Sequence, residues 1–165
     1  MKEYVIPVHG LKTGIHNYEF EVDRSFFESF ESDVFENPEI LINLRLEKTS
    51  TMLLLDFSAH GSSELPCDRC GSPMSFKVDC TDKAIVKFSD EPIEDADEII
   101  TLSPQEHELD LSDRIYEMLV LNIPPKNVHE RLEDCDQEAL ERLREFEGKD
   151  DDHIDPRWDA LKKLK

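Results

Sequence analysis

The residues best suited to do chemistry lie together in Leu65-Pro66-Cys67-Asp68-Arg69-Cys70-Gly71. Cys-x-x-Cys-Gly after a proline matches half of a zinc ribbon. In such a knuckle two thiolates turn inward, neighbouring backbone N–H groups can donate to the sulfurs, and glycine allows the tight turn. A structural zinc needs four ligands, and there is no second Cys-x-x-Cys. Cys80, His129, Cys135 and, more remotely, His153 are available to complete the set. Cys80 falls on the apolar side of an alternating strand and reads as a small core residue. Cys135 follows His129 by six residues in VHERLEDC, a polar stretch with no evident core role. If a metal is bound, Cys67, Cys70, Cys135 and His129 are the preferred quartet. Two other readings stay open. One is a β-turn whose thiols remain reduced and unligated. The other is a redox pair, which would need its first cysteine at a helix N-terminus, whereas strand-like sequence surrounds this one.

Other catalytic signatures are missing. The sequence contains no G-x-S-x-G, P-loop, H-E-x-x-H or G-x-G-x-x-G, and only five glycines. The six histidines (9, 16, 60, 107, 129, 153) are scattered, none at metal-ligand spacing from another. The expectation is a protein that is not an enzyme. The closing DPRWDALKKLK has Asp155 as a cap before Pro156, with Trp158, Leu161 and Leu164 every three residues. It reads either as a terminal helix docked on the body or as a basic amphipathic element for a protein or RNA partner. In the second case Arg157, Lys162, Lys163 and Lys165 would meet phosphates and Trp158 would anchor. Arg69, expected at the exposed tip of the cysteine turn, is a further candidate contact.

The elements that must position these groups are legible from periodicity. Tyr18, Phe20 and Val22 alternate with polar residues in a strand, and Phe26, Phe27 and Phe30 follow at helical spacing with Asp23 or Ser25 as cap. ILINLRLE and MLLLDFSAHGSSELP flank KTST as a hairpin. Met74, Phe76, Val78, Cys80, Ala84, Val86 and Phe88 sit at even positions of one long strand. EIITL and HELDL are short strands. Ser112 can cap a helix at about 112–122, with Ile115, Met118 and Leu119 inward and Pro124-Pro125 as the stop. DQEALERLREF is a helix with a narrow stripe of Leu140, Leu143 and Phe146. The predicted class is α+β: mainly an antiparallel sheet or partly closed barrel, with a few short packed helices and a helical C-terminal arm. The body spans 1–127 and the acidic arm 128–165, which ends in the short basic amphipathic helix.

Charge narrows the function. The 165 residues hold 39 acids and 19 bases, a formal net charge of −20, and 35% are charged against about 25% ordinarily. A broad basic face for nucleic acid is excluded, as is docking of the whole surface on anionic lipid. The excess is uneven. Residues 89–117 hold eleven acids and one arginine, residues 130–155 twelve acids and four bases, and the last ten residues reverse to +3. No apolar run approaches the ~18 residues of a membrane span, and the N-terminus MKEYVIPVHGLKTG has no apolar targeting segment. Four cysteines make no disulfide framework, so a reducing cytoplasm is expected.

Pro-Cys-Asp-Arg-Cys-Gly, the segment HELDLSDRIYEMLVLNIPPKNVH (Leu109, Asp110, Leu111, Glu117, Leu119, Leu121, Pro124) and the closing DPRWDALKKL together resemble the YceD-like family. These are bacterial large ribosomal RNA subunit accumulation proteins. The resemblance implies a non-catalytic accessory factor in large-subunit biogenesis that supports 23S rRNA accumulation or processing by binding a ribosomal protein or precursor RNA. Many members carry a second cysteine cluster near the C-terminus. This chain has only Cys135 there, so the resemblance does not supply a complete four-cysteine centre. With so acidic a chain, a basic ribosomal protein is the more economical partner, attracted to the acidic blocks. The readings from other classes are a metal- or thiol-dependent enzyme centred on Cys67 and Cys70, and a generic acidic interaction module.

Overall fold

The computed structural model describes residues 4–89 and 98–146. Its main element is an open sheet in the order β2-β3-β4-β5-β6, built from β2 (Gly14–Val22), β3 (Glu36–Lys48), β4 (Met52–Pro66), β5 (Pro73–Phe88) and β6 (Ile99–Leu102). β2 to β5 form an antiparallel meander, while β6 runs parallel to β5, with Ile85 opposite Ile99. The sheet does not close, so of the two expected forms the open sheet is the one adopted. β1 (Val5–Pro7) and β7 (Glu108–Asp110) make a separate antiparallel pair.

Alternation decides which face is buried. In β3 and β4, Ile40, Ile42, Leu44, Leu46, Leu53, Leu55, Phe57 and Ala59 are all at most 3% exposed. Val78, Ala84 and Val86 of β5 join them. The same face is covered by α1 (Arg24–Glu28), α2 (Ser112–Leu121) and the β1–β7 pair. Their Phe26, Phe27, Ile115, Leu119, Ile6 and Leu109 belong to one core cluster with the strands. Cys80 only packs at the margin of this core and is half-buried. The opposite face carries a polar ladder in which Arg45 bridges Asp56 and Glu47, and Lys83 also meets Asp56.

Local chemistry sets the boundaries. The Asp23 carboxylate accepts from the Ser25 and Phe26 N–H groups and caps α1. The β3–β4 turn is held by Thr49, whose hydroxyl oxygen accepts from the Met52 N–H and whose own N–H donates to the Met52 carbonyl. Ser112 is not the cap of α2 but its first residue. The Asp110 carboxylate accepts the Ser112 N–H at 2.9 Å instead, because Leu111 must turn into the core (0% exposed) at the cap position. A bidentate ion pair from Arg114 to Asp82 fastens α2 to β5, with side chains 18% and 24% exposed. α3 (Gln137–Phe146) buries only Leu140. Leu143 and Phe146, expected on the same apolar stripe, are 50% and 84% exposed. No helix among the described residues is long and apolar enough to cross a membrane.

Candidate metal centre

Pro66 and Pro73 face each other at the end of the β4–β5 hairpin, and residues 67–72 form the loop between them. Proline offers no N–H, so the ladder stops there and the loop supplies its own bonds. The Cys67 N–H donates to the Ser72 carbonyl (2.9 Å) and the Gly71 N–H to the Cys67 carbonyl (2.8 Å). Gly71 has φ +75°, the left-handed region that glycine adopts at little cost. The second half of the site comes from the chain beyond α2. The Asp68 N–H donates to the Asn127 carbonyl (2.7 Å), and the Asn127 N–H returns to the Asp68 carboxylate (2.6 Å). This reciprocal clamp delivers the next residues to the knuckle. A 3-10 turn, Leu132–Asp134, then presents Cys135, and Asp136 caps α3 by accepting from the Glu138 and Ala139 N–H groups.

The result is a set of four donor atoms, from Cys67, Cys70, His129 and Cys135, all within 4.8 Å of one another. The His129 Nδ1 lies 3.7 Å from the sulfurs of both Cys70 and Cys135. Tetrahedral zinc with bonds of about 2.3 Å to sulfur and 2.0–2.1 Å to nitrogen separates such atoms by roughly 3.6 Å. Three soft sulfurs and one imidazole are a donor set that suits zinc, so the cluster could hold a metal. All four cysteines of the chain are free, and Cys80 is not in the cluster. His153 lies outside the described residues. Cys67 and Cys70 sit in a hairpin loop between strands, not at a helix N-terminus.

The environment distinguishes the three thiols. Burial pushes Cys67 up, but donation from the backbone N–H groups of His129, Arg69 and Cys70 outweighs it and brings the thiol down to about 7. Cys70 is also lowered, chiefly by the Ser72 hydroxyl at 3.0 Å. Cys135 is raised by its burial despite a hydrogen bond from Arg69. Arg69 is therefore not at an exposed tip. It is half-buried, and its guanidinium donates to the Cys135 sulfur at 3.6 Å. The knuckle packs against Asn127, Val128 and Cys135, and the side chain follows the sulfur rather than the solvent. Around the site, Leu140 is buried against Cys67 and Cys135, with Val128 and Met74 partly buried beside them.

The profile of the family described as large ribosomal RNA subunit accumulation protein YceD matches residues 55–165, about two thirds of the chain. The chain belongs to this family. The YceD match begins within β4 and includes all four residues of the cluster. Neither the curated proteins nor the solved structures contain a significant match. YceD membership implies a role in the accumulation of large-subunit ribosomal RNA.

Sequence reasoning did not single out Asp68, Asn127 and Asp136, which bring the two halves of the cluster together. Asp68 was visible only as a residue inside the knuckle. The rings of His9 and His107 also meet, with centroids 4.3 Å apart, because β1 pairs with β7. Arg157, Trp158, Lys162 and Lys163 lie outside the described residues.

Proposed function

We propose that this YceD protein is a non-catalytic, cytoplasmic accessory factor of large-subunit assembly. It supports accumulation and processing of the 23S rRNA precursor by holding a basic ribosomal protein. The observation that carries the reading is family membership over residues 55–165. The charge of −20 selects the kind of partner: a basic protein gains from it and a polyanionic RNA does not. In this reading Cys67, Cys70, His129 and Cys135 hold a structural zinc, which joins the body, residues 1–127, to the acidic arm, residues 128–165. Zinc would supply a cross-link and no reaction. Arg157, Trp158, Lys162 and Lys163 are left as a local contact for precursor RNA, whereas Arg69 is engaged with Cys135.

The assembly role is tested by sucrose-gradient profiles of a deletion strain at normal and low temperature. A fall in the ratio of 23S to 16S rRNA or accumulation of precursor particles is expected, and an unchanged profile at both temperatures rejects it. Metal analysis of untagged protein should find about one zinc per chain. Less than about 0.2 equivalents, with all thiols freely titratable, rejects the zinc centre. A tagged copy should recover basic ribosomal proteins at low salt and lose them as salt rises.

A further inference from the structure

Among the described residues β2 has a neighbour on one side only, β3. It runs nine residues, GIHNYEFEV, in unbroken register from Gly14↔Lys48 to Val22↔Ile40. Natural edge strands are ordinarily guarded by lysine, proline, a bulge or shortness. The opposite edge, β6, is short, at four residues. β2 is not short and has no lysine, proline or bulge; its guards are the carboxylates Glu19 and Glu21, which disfavour an added strand unless that strand is basic.

Its free backbone side can be identified. The Glu21 carbonyl accepts from the Tyr4 hydroxyl at 2.7 Å, so it points away from β3. Residues two apart share a direction in an antiparallel strand, which places the N–H and C=O groups of Ile15, Asn17 and Glu19 on the open side. One hollow lies at the far half of this edge, and another opens over the sheet behind it, reaching as far as His60 of β4. The first, of about 280 Å³, is lined by Tyr4, Glu19, Phe20, Glu21 and Asp23. The second, of about 310 Å³, is lined by Glu21, Asp23, Pro38, Glu39, Leu41 and His60 among others. No ion pair engages Glu19, Glu21, Asp23 or Glu39 among the described residues, whereas the nearby Arg45 is already bound to Asp56 and Glu47.

We propose that β2 is a docking edge for a lysine- or arginine-rich extended segment of a partner protein, which adds to the sheet as a sixth strand. The proposal rests on the partner class given above and names its mode of binding. Backbone bonds to Ile15, Asn17 and Glu19 would supply the register. Alternate basic side chains of the added strand would reach Glu19 and Glu21, beside the hollow that Tyr4 lines.

The test uses the full chain and a synthetic peptide about nine residues long that alternates lysine with valine. Fluorescence anisotropy should show binding that weakens as salt rises. Two further peptides, N-methylated on one or the other alternate set of amides, keep the charge but each lose one row of donors. One should bind at least about tenfold more weakly and the other like the parent. Equal binding of all three overturns the added strand. The Glu19→Lys/Glu21→Lys double variant should lose at least about tenfold in affinity. Asn17→Pro, which removes an edge N–H while sparing the ladder to β3, should also weaken binding, with circular dichroism reporting the fold of each. Wild-type affinity in the double variant overturns the docking edge, as does an RNA oligonucleotide that binds in place of the peptide. If wild type and the double variant capture basic ribosomal proteins equally, the edge is wrong and the partner class stands. If neither captures any, the partner class itself is wrong.

Discussion

If Cys67, Cys70, His129 and Cys135 hold zinc as proposed, removing it should melt one part of the molecule and leave the rest intact. Residues 127–146 are twenty in number, and fixing their backbone costs roughly 20 kcal/mol at about 1 kcal/mol each. Their apolar anchors are few. Leu140 is 7% exposed and Val128 is partly buried, together worth about 4 kcal/mol. α3 has ten residues and packs through one of them, so as an isolated helix it is marginal. An apparent ~10–16 kcal/mol from a structural zinc brings the balance within a few kcal/mol of zero. Without the metal the deficit exceeds roughly 10 kcal/mol, far beyond what capping by Asp136 supplies. Hydrogen exchange read by mass spectrometry, with and without a zinc chelator, measures this directly. In the chelated protein the amides of α3 should exchange as in an unstructured chain, while those of β3 and β4 keep their protection. Equal protection of α3 in zinc-free protein would refute the reasoning, since packing alone would then be holding the arm.

Three further outcomes follow from the same structure. Arg69→Met should lower zinc affinity by about tenfold or more in a competition assay with a chelating dye, because the donor to the Cys135 sulfur is lost, and Arg69→Lys should restore part of it. Arg114→Met should destabilise the fold by about 2 kcal/mol in urea, and its effect should be strongly non-additive with Asp82→Asn, because the two charges are mostly buried together. Asp23→Ala should cost about 1 kcal/mol through loss of the α1 cap. Hydrogen bonds from Ser25 and Phe26 hold the Asp23 carboxyl below its ordinary value. That contribution is therefore complete above the usual carboxylate range and fades as pH falls through the depressed value, a slope that Asp23→Ala should lack in thermal melts.

The long strands were legible because each buries one face, and a period of two cannot be mistaken over nine to sixteen residues. β1 was not legible. It has three residues, includes Pro7, and exists only because Val5 meets Asp110 across more than a hundred residues. The parallel partner of β5 was equally hidden, since EIITL carries no mark of the direction in which it will pair. At α2 the sequence pointed to Ser112 as cap, yet the buried Leu111 takes the cap position with no side-chain cap, and the Asp110 carboxylate accepts the Ser112 N–H from one residue earlier. In the cluster the local Cys-x-x-Cys turn is written in six consecutive residues, from Pro66 to Gly71. The Asp68–Asn127 clamp is a backbone bond plus one carboxylate, with no pattern to announce it. The stripe Leu140, Leu143, Phe146 showed the helix correctly but not that only its first member would find a surface.

The pairing of Val5–Pro7 with Glu108–Asp110 has a consequence for the order in which the chain becomes safe. β2 to β5 join through near neighbours and can zip together as soon as Phe88 is available. At that moment the face bearing Ile42, Leu44, Leu46, Leu53 and Leu55 has only α1 over it. β1 waits through about a hundred residues for its partner, and α2 follows at once behind β7. During synthesis at about 5–20 residues per second, the interval from Phe88 to Leu121 leaves an apolar sheet bare for a few seconds. Changes in α2 or β7 that delay docking of either element on the sheet would therefore register as insoluble nascent protein even where the equilibrium stability of the mature chain is little altered.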